Sequence, residues 1–378
     1  MSQLTLPSAR EEAWRWSDLS ALQKFTEVHE KGGALQALHE LPWIDTDDEG
    51  PRLLFIDGVL DEKSSRLGPI SIGNVPIEAV DHPLGRHAGR RGWTLRLGRD
   101  QAAAGLIQIV HVSTGGADHL AAKIVLEDDA QASIVETFIG DGWTNRLTGV
   151  TLGPSARLMH DRRLLGDSGF ISLTDHATLA TGASLVVTNL AAGGRDSRLD
   201  GDFDLTGEGA YAEAAGALMA RGRQRHDANL VLRHLAPGGM SRQVWRSVAD
   251  DRATCSVAAR VEVARAAQKT DAEQSLKGLL LDRGATINAR PELEIFADDV
   301  KCAHGATVGE LDAQALFYLE SRGIAPGEAR GLLTRAFVAA ALDRIGEGAV
   351  RGAFYADAEQ WFATSPSRLR EGLGEGLS

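Results

Sequence analysis

The chain has 378 residues, of which 43% are hydrophobic and 24% charged, an ordinary globular composition that exceeds one average domain and can bury a sizeable core. Its 40 Lys+Arg against 52 Asp+Glu leave a formal net charge of −12, a surface that repels phosphate backbones and argues against a nucleic-acid partner. Two cysteines cannot build a disulfide framework, no run of apolar residues is long enough to span a bilayer, and the start, MSQLTLPSAREEAW, lacks the apolar stretch of an export signal, so a soluble cytoplasmic chain without a membrane partner is expected.

Residues 8–39 carry helical cues. Ser8 precedes Glu11 at capping-box spacing, Trp14, Leu22, Phe25, Leu35 and Leu38 mark apolar faces, and Gly32-Gly33 separates two helices. In RLLFIDGVLDEKSS (52–65) two short apolar runs flank Asp57-Gly58, a hairpin signal. Residues 66–92, with Pro69, Pro76, Pro83 and several glycines, read as a loop-rich link. The first unit predicted is therefore 1–92.

From Trp93 the pattern changes to short apolar runs bounded by small or acidic turn residues, among them GLIQIVHVS, ASIVETFIG, GASLVVTNLA and ATCSVAARVEVA. Turn cues recur near Asp129, Pro154, Gly182, Gly207, Gly238, Asp251, Gly284 and Gly305 at uneven spacing. Many strands without helices between them mean a sandwich, a barrel or a solenoid. The scarcity of hairpin dipeptides between them puts a parallel β-helix just ahead of a sandwich. Such a stack needs its end strands covered, and the helical segments before residue 40 and after 311 are the expected caps. The core predicted is 93–311.

Residues 289–323 mark the change back to helices. Leu293, Ile295 and Ala297 alternate with Glu292, Glu294 and Phe296; Val300–His304 forms a second extended run that Gly305 punctuates. A helix then runs from Asp312 to Arg322, with Gly323 at its C′ position. Pro326 suits the first turn of the next helix, whose stripe is Leu332, Leu333, Phe337, Val338, Ala341, Leu342 and Ile345, closed by Gly346 and Gly348. A shorter pattern, Ala358–Phe362, precedes a Gly/Ser-rich end that is expected to fray. The last predicted unit is 312–378.

Cys302 and His304 are two apart on a strand, so they share a face roughly 6.5–7 Å apart. A thiolate and an imidazole so placed can share a metal or a sulfur species, but two ligands do not make a site, and spacing alone favours a small buried thiol and a turn histidine. Cys255, with no histidine near it in sequence, reads as a core thiol. His226-Asp227 and His234 read as strand-end residues bonding across turns, and the pairs Asp81-His82, Asp118-His119 and Asp175-His176 as turn chemistry. Gln268–Asp271 with Gln274 reads as a polar stack at a bend, and Arg221, Arg223 and Arg225 as a solvated turn. No phosphate-binding GxxxxGK[ST], GxSxG elbow or HExxH is present.

The run AAQKTDAEQSLKGLLLDRGATINARP (266–291), then DDVKCAHGAT (298–307) and FYLESRGI (317–324), resembles the C-terminal part of SufD in the SufB/SufD family of iron–sulfur cluster assembly scaffolds. The likeness is dense from about Gln224 to Ile345. Where many members read Gly-Lys-Ile ahead of a proline-containing strand, this chain has Ala259-Arg260-Val261. The resemblance implies a mainly β chain: a right-handed parallel β-helix core with helical N- and C-terminal segments. It also implies a platform rather than an enzyme, which pairs with a SufB-like paralogue through the end of the β-helix, a homodimer being open to the isolated chain. His304, and secondarily Cys302, would lie at that junction and share a transient iron–sulfur cluster, with no tightly bound cofactor. A SufC-like ABC ATPase would dock on the C-terminal helices, where Leu316, Phe317, Leu332, Leu333 and Phe337 are the candidates. Whether a flavin binds the assembly is left open. The rival readings are a SufB-like paralogue and a β-helix polysaccharide-active enzyme or hexapeptide acyltransferase; the latter two call for an export signal and strict six-residue repeats respectively, neither of which this sequence shows.

Overall fold

The computed structural model describes residues 6–363 except 9, 26–40, 47–48 and 78–80. Seventeen strands account for most of it: β1 (Arg52–Ile56), β2 (Val59–Leu60), β3 (Ile70–Asn74), β4 (Arg91–Leu97), β5 (Ile107–Leu126), β6 (Gln131–Leu152), β7 (Arg157–Leu164), β8 (Phe170–Leu179), β9 (Ser184–Ala191), β10 (Asp196–Leu205), β11 (Tyr211–Ala220), β12 (Arg225–His234), β13 (Met240–Ala249), β14 (Thr254–Val263), β15 (Asp271–Leu280), β16 (Thr286–Ile295) and β17 (Lys301–Glu310). Three helices follow, α1 (Ala313–Ser321), α2 (Pro326–Leu342) and α3 (Gly348–Ala363).

The strands wind into a parallel solenoid. From β6 onward each strand pairs in parallel with the strand two places later, so even- and odd-numbered strands build two walls. Asp196 lies beside Arg225, and Arg225 beside Thr254, an advance of 29 residues per coil in both steps. The β-helix, not the sandwich, is the fold. Turn residues make the coils possible: Asp129, Gly182, Gly238 and Asp251 all have φ between 57° and 68°, the left-handed region that Gly and Asp tolerate best. Gly305 is the exception among the expected turns, because β17 runs straight through it.

Alternation along each strand separates the faces. One inward column runs Leu173, Leu199, Ala228, Val257, Ala289 in register, part of the core that fills the lumen. The outward face of the even wall is charged instead. Arg233 reaches Asp202 at 2.9 Å and Glu262 at 3.0 Å, and Arg260 reaches Glu292 at 2.8 Å. The N-terminal segment lies on this wall: Arg198 stacks under Trp14 at 4.4 Å and donates to the Ala13 carbonyl at 2.9 Å. Its described part forms 3-10 turns at Glu12–Trp14 and Ser20–Phe25 rather than the two helices expected, held by contacts to the wall and not by a helical stripe. Residues 26–40, with Gly32-Gly33, Leu35 and Leu38, lie outside the described residues.

The odd wall is apolar outside and is covered by α2 and α3. Val338, Leu342, Phe354 and Trp361 pack on Leu190, Met219 and Val248, each large side chain contributing roughly 1.5–3 kcal/mol by burial. Asp357 of α3 grips Arg163 with two bonds, at 2.6 and 2.8 Å. α3 is thus a full sixteen-residue helix, longer than Ala358–Phe362 suggests. The expected frayed end falls outside the described residues.

Among the described residues the helical segments therefore flank the solenoid and do not cap it, contrary to expectation. Their apolar stripes match the broad wall, which offers far more area than one coil end. The first coil is closed differently: β2 and β3 pair antiparallel with β1 and β4, the first through the Asp57-Gly58 hairpin with φ of 47° and 76°. The stretch 66–92 thus contains β3 as well as a 3-10 turn, Gly85–His87, and is more than a link. At the last coil, no further strand pairs with β16 or β17 among the described residues.

Candidate functional site at the open end of the solenoid

The last coil carries the Cys-x-His. Cys302, His304, Ala306 and Val308 are in register with Ala272, Gln274, Leu276 and Gly278 of β15, of which Ala272, Gln274 and Leu276 are buried in the lumen wall. The two candidate ligands therefore share the inward face of the edge strand, at the mouth of the lumen. His304 is exposed; Cys302 is half-buried against the cluster around Val261, Val263, Ala272 and Ala297, and that burial pushes its thiol pKa up. Ile295 and Val308 leave apolar surface exposed at the same mouth.

The backbone of this edge is unpaired in a definite pattern. Lys301 N–H donates to the Thr270 carbonyl at 2.8 Å, so odd-numbered residues of β17 bond β15, while Cys302, His304, Ala306 and Val308 turn their N–H and C=O groups to the open edge. On β16, Thr286 and Phe296 N–H bond the Ala253 and Val263 carbonyls. Its open edge therefore includes Pro291, which has no N–H to offer. The β17 edge is an uninterrupted template; the β16 edge is not.

Among the described residues, no group of three or more His, Cys, Asp or Glu side chains could hold a metal ion. Cys302 and His304 are two candidate ligands on one strand face, short of such a group. Cys255 is enclosed, its thiol against the Leu218 and Val248 carbonyls, and burial raises its pKa. His226 and His234 point into the lumen, bonded to Ser197 at 2.9 Å and Ser241 at 2.8 Å, and burial pushes both pKa values down to about 4. His226 bonds its in-register neighbour on the adjacent rung, whereas His234, at the end of β12, bonds across the turn to β13 as expected.

The docking candidates separate into two kinds. Phe317 is 73% exposed and Leu332 38% exposed, next to Tyr318, which the sequence reading did not single out. Leu316 and Leu333 are half-buried, and Phe337 turns toward the wall, within 5.9 Å of Arg246.

A buried polar chain near the first coils was missed. His111 and His160 each bond a Glu136 oxygen through Nε2 at 2.7 Å, and Arg146 and Arg162 contact their Nδ1 atoms at 3.1 Å. Arg146 in turn pairs with Asp118, and Arg162 with Asp175 at 2.6 Å. A guanidinium only donates, so each Nδ1 accepts, each Nε2–H donates to Glu136, and both rings are neutral. Burial and the adjacent arginines lower both histidine pKa values; burial would raise that of Glu136, but the two hydrogen bonds hold it well below the usual range. Asp118 and Asp175 thus sit within strands, not turns. The signal was present in the alternation: His111 follows Ile107 and Ile109, and Glu136 stands between Ile134 and Phe138, both in the inward phase.

Among the described residues the chain is a parallel β-solenoid closed by antiparallel strands at its first coil, with two candidate ligands on the unpaired edge strand of its last. The family model described as "SUF system FeS cluster assembly, SufBD core domain" matches residues 110–337, and the chain belongs to that family. It is 26% identical over 362 residues to the iron–sulfur cluster assembly protein SufD of Escherichia coli, covering 88% of this chain and 84% of that protein. It is 34% identical over 247 residues to a SufBD family protein of Synechocystis, covering 61% of this chain and 53% of the relative. With protein ABCI7, chloroplastic, of Arabidopsis thaliana it shares 30% over 238 residues, 60% of this chain and 50% of the relative. The matched part thus spans about half the length of the last two.

Proposed function

We propose that the chain is a SufD-type scaffold subunit for iron–sulfur cluster assembly, a platform and not a catalyst. The observation that carries this reading is the uncapped last coil with Cys302 and His304 on the inward face of its edge strand. A SufB-like paralogue would pair there, adding backbone hydrogen bonds to β17 and covering Ile295 and Val308. Its side chains would complete the half-site, so that His304 and, secondarily, Cys302 bind iron or sulfide as transient cargo. A second copy of this chain would occupy the same edge when the paralogue is absent. The Phe317, Tyr318 and Leu332 surface suits a SufC-like ABC ATPase, since exposed aromatics on a helical hairpin are typical anchors. No helix is long and apolar enough to cross a membrane among the described residues, in keeping with a cytoplasmic assembly.

The test is His304→Ala in a chain co-expressed with the paralogue and the ATPase. Cluster formation, read by the visible absorbance of the purified complex, should fall at least tenfold while the complex still forms. Unchanged cluster formation in an intact complex would defeat the reading.

A further inference from the structure

Behind the open end, three polar atoms lack a hydrogen-bond partner among the described residues: the indole Nε1–H of Trp245 and the amide oxygens of Gln243 and Gln274. All three side chains face the lumen and are at most 1% exposed. Gln243 and Gln274 stand in register on β13 and β15, so their Cβ atoms are about 5 Å apart. Trp245 lies two residues beyond Gln243 on the same face, about 6.5–7 Å along the strand.

The orientation of each group is fixed by its surroundings. Gln274 Nε2 donates to the Ala259 carbonyl at 2.8 Å, and Gln243 Nε2 to the Arg260 carbonyl at 3.0 Å. Flipping either amide would set oxygen against oxygen, so the amide oxygens are the atoms left without a partner. The indole is seated with its six-membered ring against Gly216, where even a Cβ would come within 2.5 Å of Cζ3. That contact turns the Nε1 edge away from β11. Buried polar groups are normally paired, by ordered water where the protein supplies no partner.

One donor and two acceptors form the complement of a molecule that accepts one hydrogen bond and donates two. None of the three residues is charged, so the occupant is neutral. We propose that Trp245, Gln243 and Gln274 form an internal site for one water-sized dihydride, either water or hydrogen sulfide, which have the same donors and acceptors. The site is one rung below His304, the in-register neighbour of Gln274. It would make the inner wall behind the half-site polar and fixed rather than dry. Only the relevance of sulfide rests on the cluster-assembly reading; the site itself does not.

The test is heteronuclear NMR on the full chain, with Trp245→Phe assigning the indole N–H resonance by its loss. The unsubstituted protein should show a cross-peak from this resonance to a long-lived internal water. Gln243→Met and Gln274→Met should each shift the resonance and abolish the cross-peak while the other indole resonances stay in place. Hydrogen sulfide added anaerobically in mildly acidic buffer separates the two occupants: saturable loss of the water cross-peak assigns the site to sulfide, and its persistence assigns it to water. An indole resonance with no water cross-peak and no response to sulfide overturns the site. That result needs no variant to fold, and it is independent of how His304→Ala affects cluster formation.

Discussion

Acidification from pH 7 to pH 5 is expected to destabilise the fold, because burial holds several histidines neutral. His119, His226 and His234 are each pushed down to about 4 from the ordinary 6.5. The unfolded chain takes up a proton on each ring near 6.5 and the folded chain only near 4, so the unfolded state binds more protons across this window and stability falls with pH. Between pH 7 and pH 5 this amounts to roughly 2 kcal/mol per histidine, or roughly 5–6 kcal/mol for the three. Three carboxyls act the other way: burial raises Asp227, and it pushes Asp161 up to about 7 and Asp196 up to about 6. The folded chain therefore gains protons there that the unfolded chain does not, which restores roughly 2 kcal/mol at Asp161 and roughly 1 kcal/mol at Asp196. Over these three histidines together with Asp161 and Asp196, the histidines win by roughly 2 kcal/mol; His111 and His160, lowered in the same direction, add to the loss, and Asp227 offsets part of it. Asp161→Asn removes the largest quantified opposing contribution, so the loss between pH 7 and pH 5 should grow by roughly 2 kcal/mol. Urea unfolding followed by circular dichroism at pH 7, 6 and 5 measures both proteins. A variant as stable at pH 5 as at pH 7 would refute the reasoning.

Three further outcomes are expected. Asp357→Ala leaves the Arg163 guanidinium buried without its two-pronged partner, keeping only the Pro42 carbonyl and Thr137; a loss of about 3–5 kcal/mol is expected in urea unfolding, and a loss under about 1 kcal/mol would show that α3 is held by its apolar face alone. Phe317→Ser combined with Leu332→Ser should weaken binding of the ATPase subunit at least tenfold by calorimetry while shifting the melting temperature little, because both side chains are exposed; unchanged affinity would remove this surface from consideration. A thiol reagent should modify one cysteine in the native chain and two after unfolding, since Cys255 is enclosed and Cys302 half-buried on an edge strand. Two thiols reacting natively at similar rates would contradict the core position of Cys255.

The way Cys302 and His304 are presented follows from which end of the solenoid is closed. The first coil is closed with antiparallel strands, and the broad walls are covered by the N-terminal segment and by α2 and α3. Among the described residues, what remains open is the coil that carries the Cys-x-His, together with the uninterrupted β17 edge. Pro291 on the neighbouring edge limits pairing on that side, a common way of blunting an exposed strand. Exposed edges are a liability for an isolated chain, and the proposed pairing would cover this one.

Some of this was written locally. Asp57-Gly58 specifies a tight hairpin because both positions need positive φ, and Asp312, Gly323 and Pro326 fix helix boundaries through their own backbone preferences and hydrogen bonds. The inward phase of His111 and Glu136 could also be read from alternation, although their partners could not. The motif around Cys302 and His304 was legible through resemblance. Spacing alone left the two as a buried thiol and a turn histidine, and only the solenoid brings Gln274 beneath His304 and the lumen mouth around both.

The sequence by itself determined that short strands would recur without helices between them, where the hairpin and the first two C-terminal helices begin, and which family the chain resembles. These follow from interactions among residues a few positions apart. Tertiary structure alone decided that, among the described residues, the helices lie along the walls and leave the last coil open, that a buried chain links Asp118 to Asp175, and that Trp245, Gln243 and Gln274 share the lumen face of adjacent rungs. Those relations join residues about one coil or more apart, and such pairings depend on register between strands, which no local pattern records.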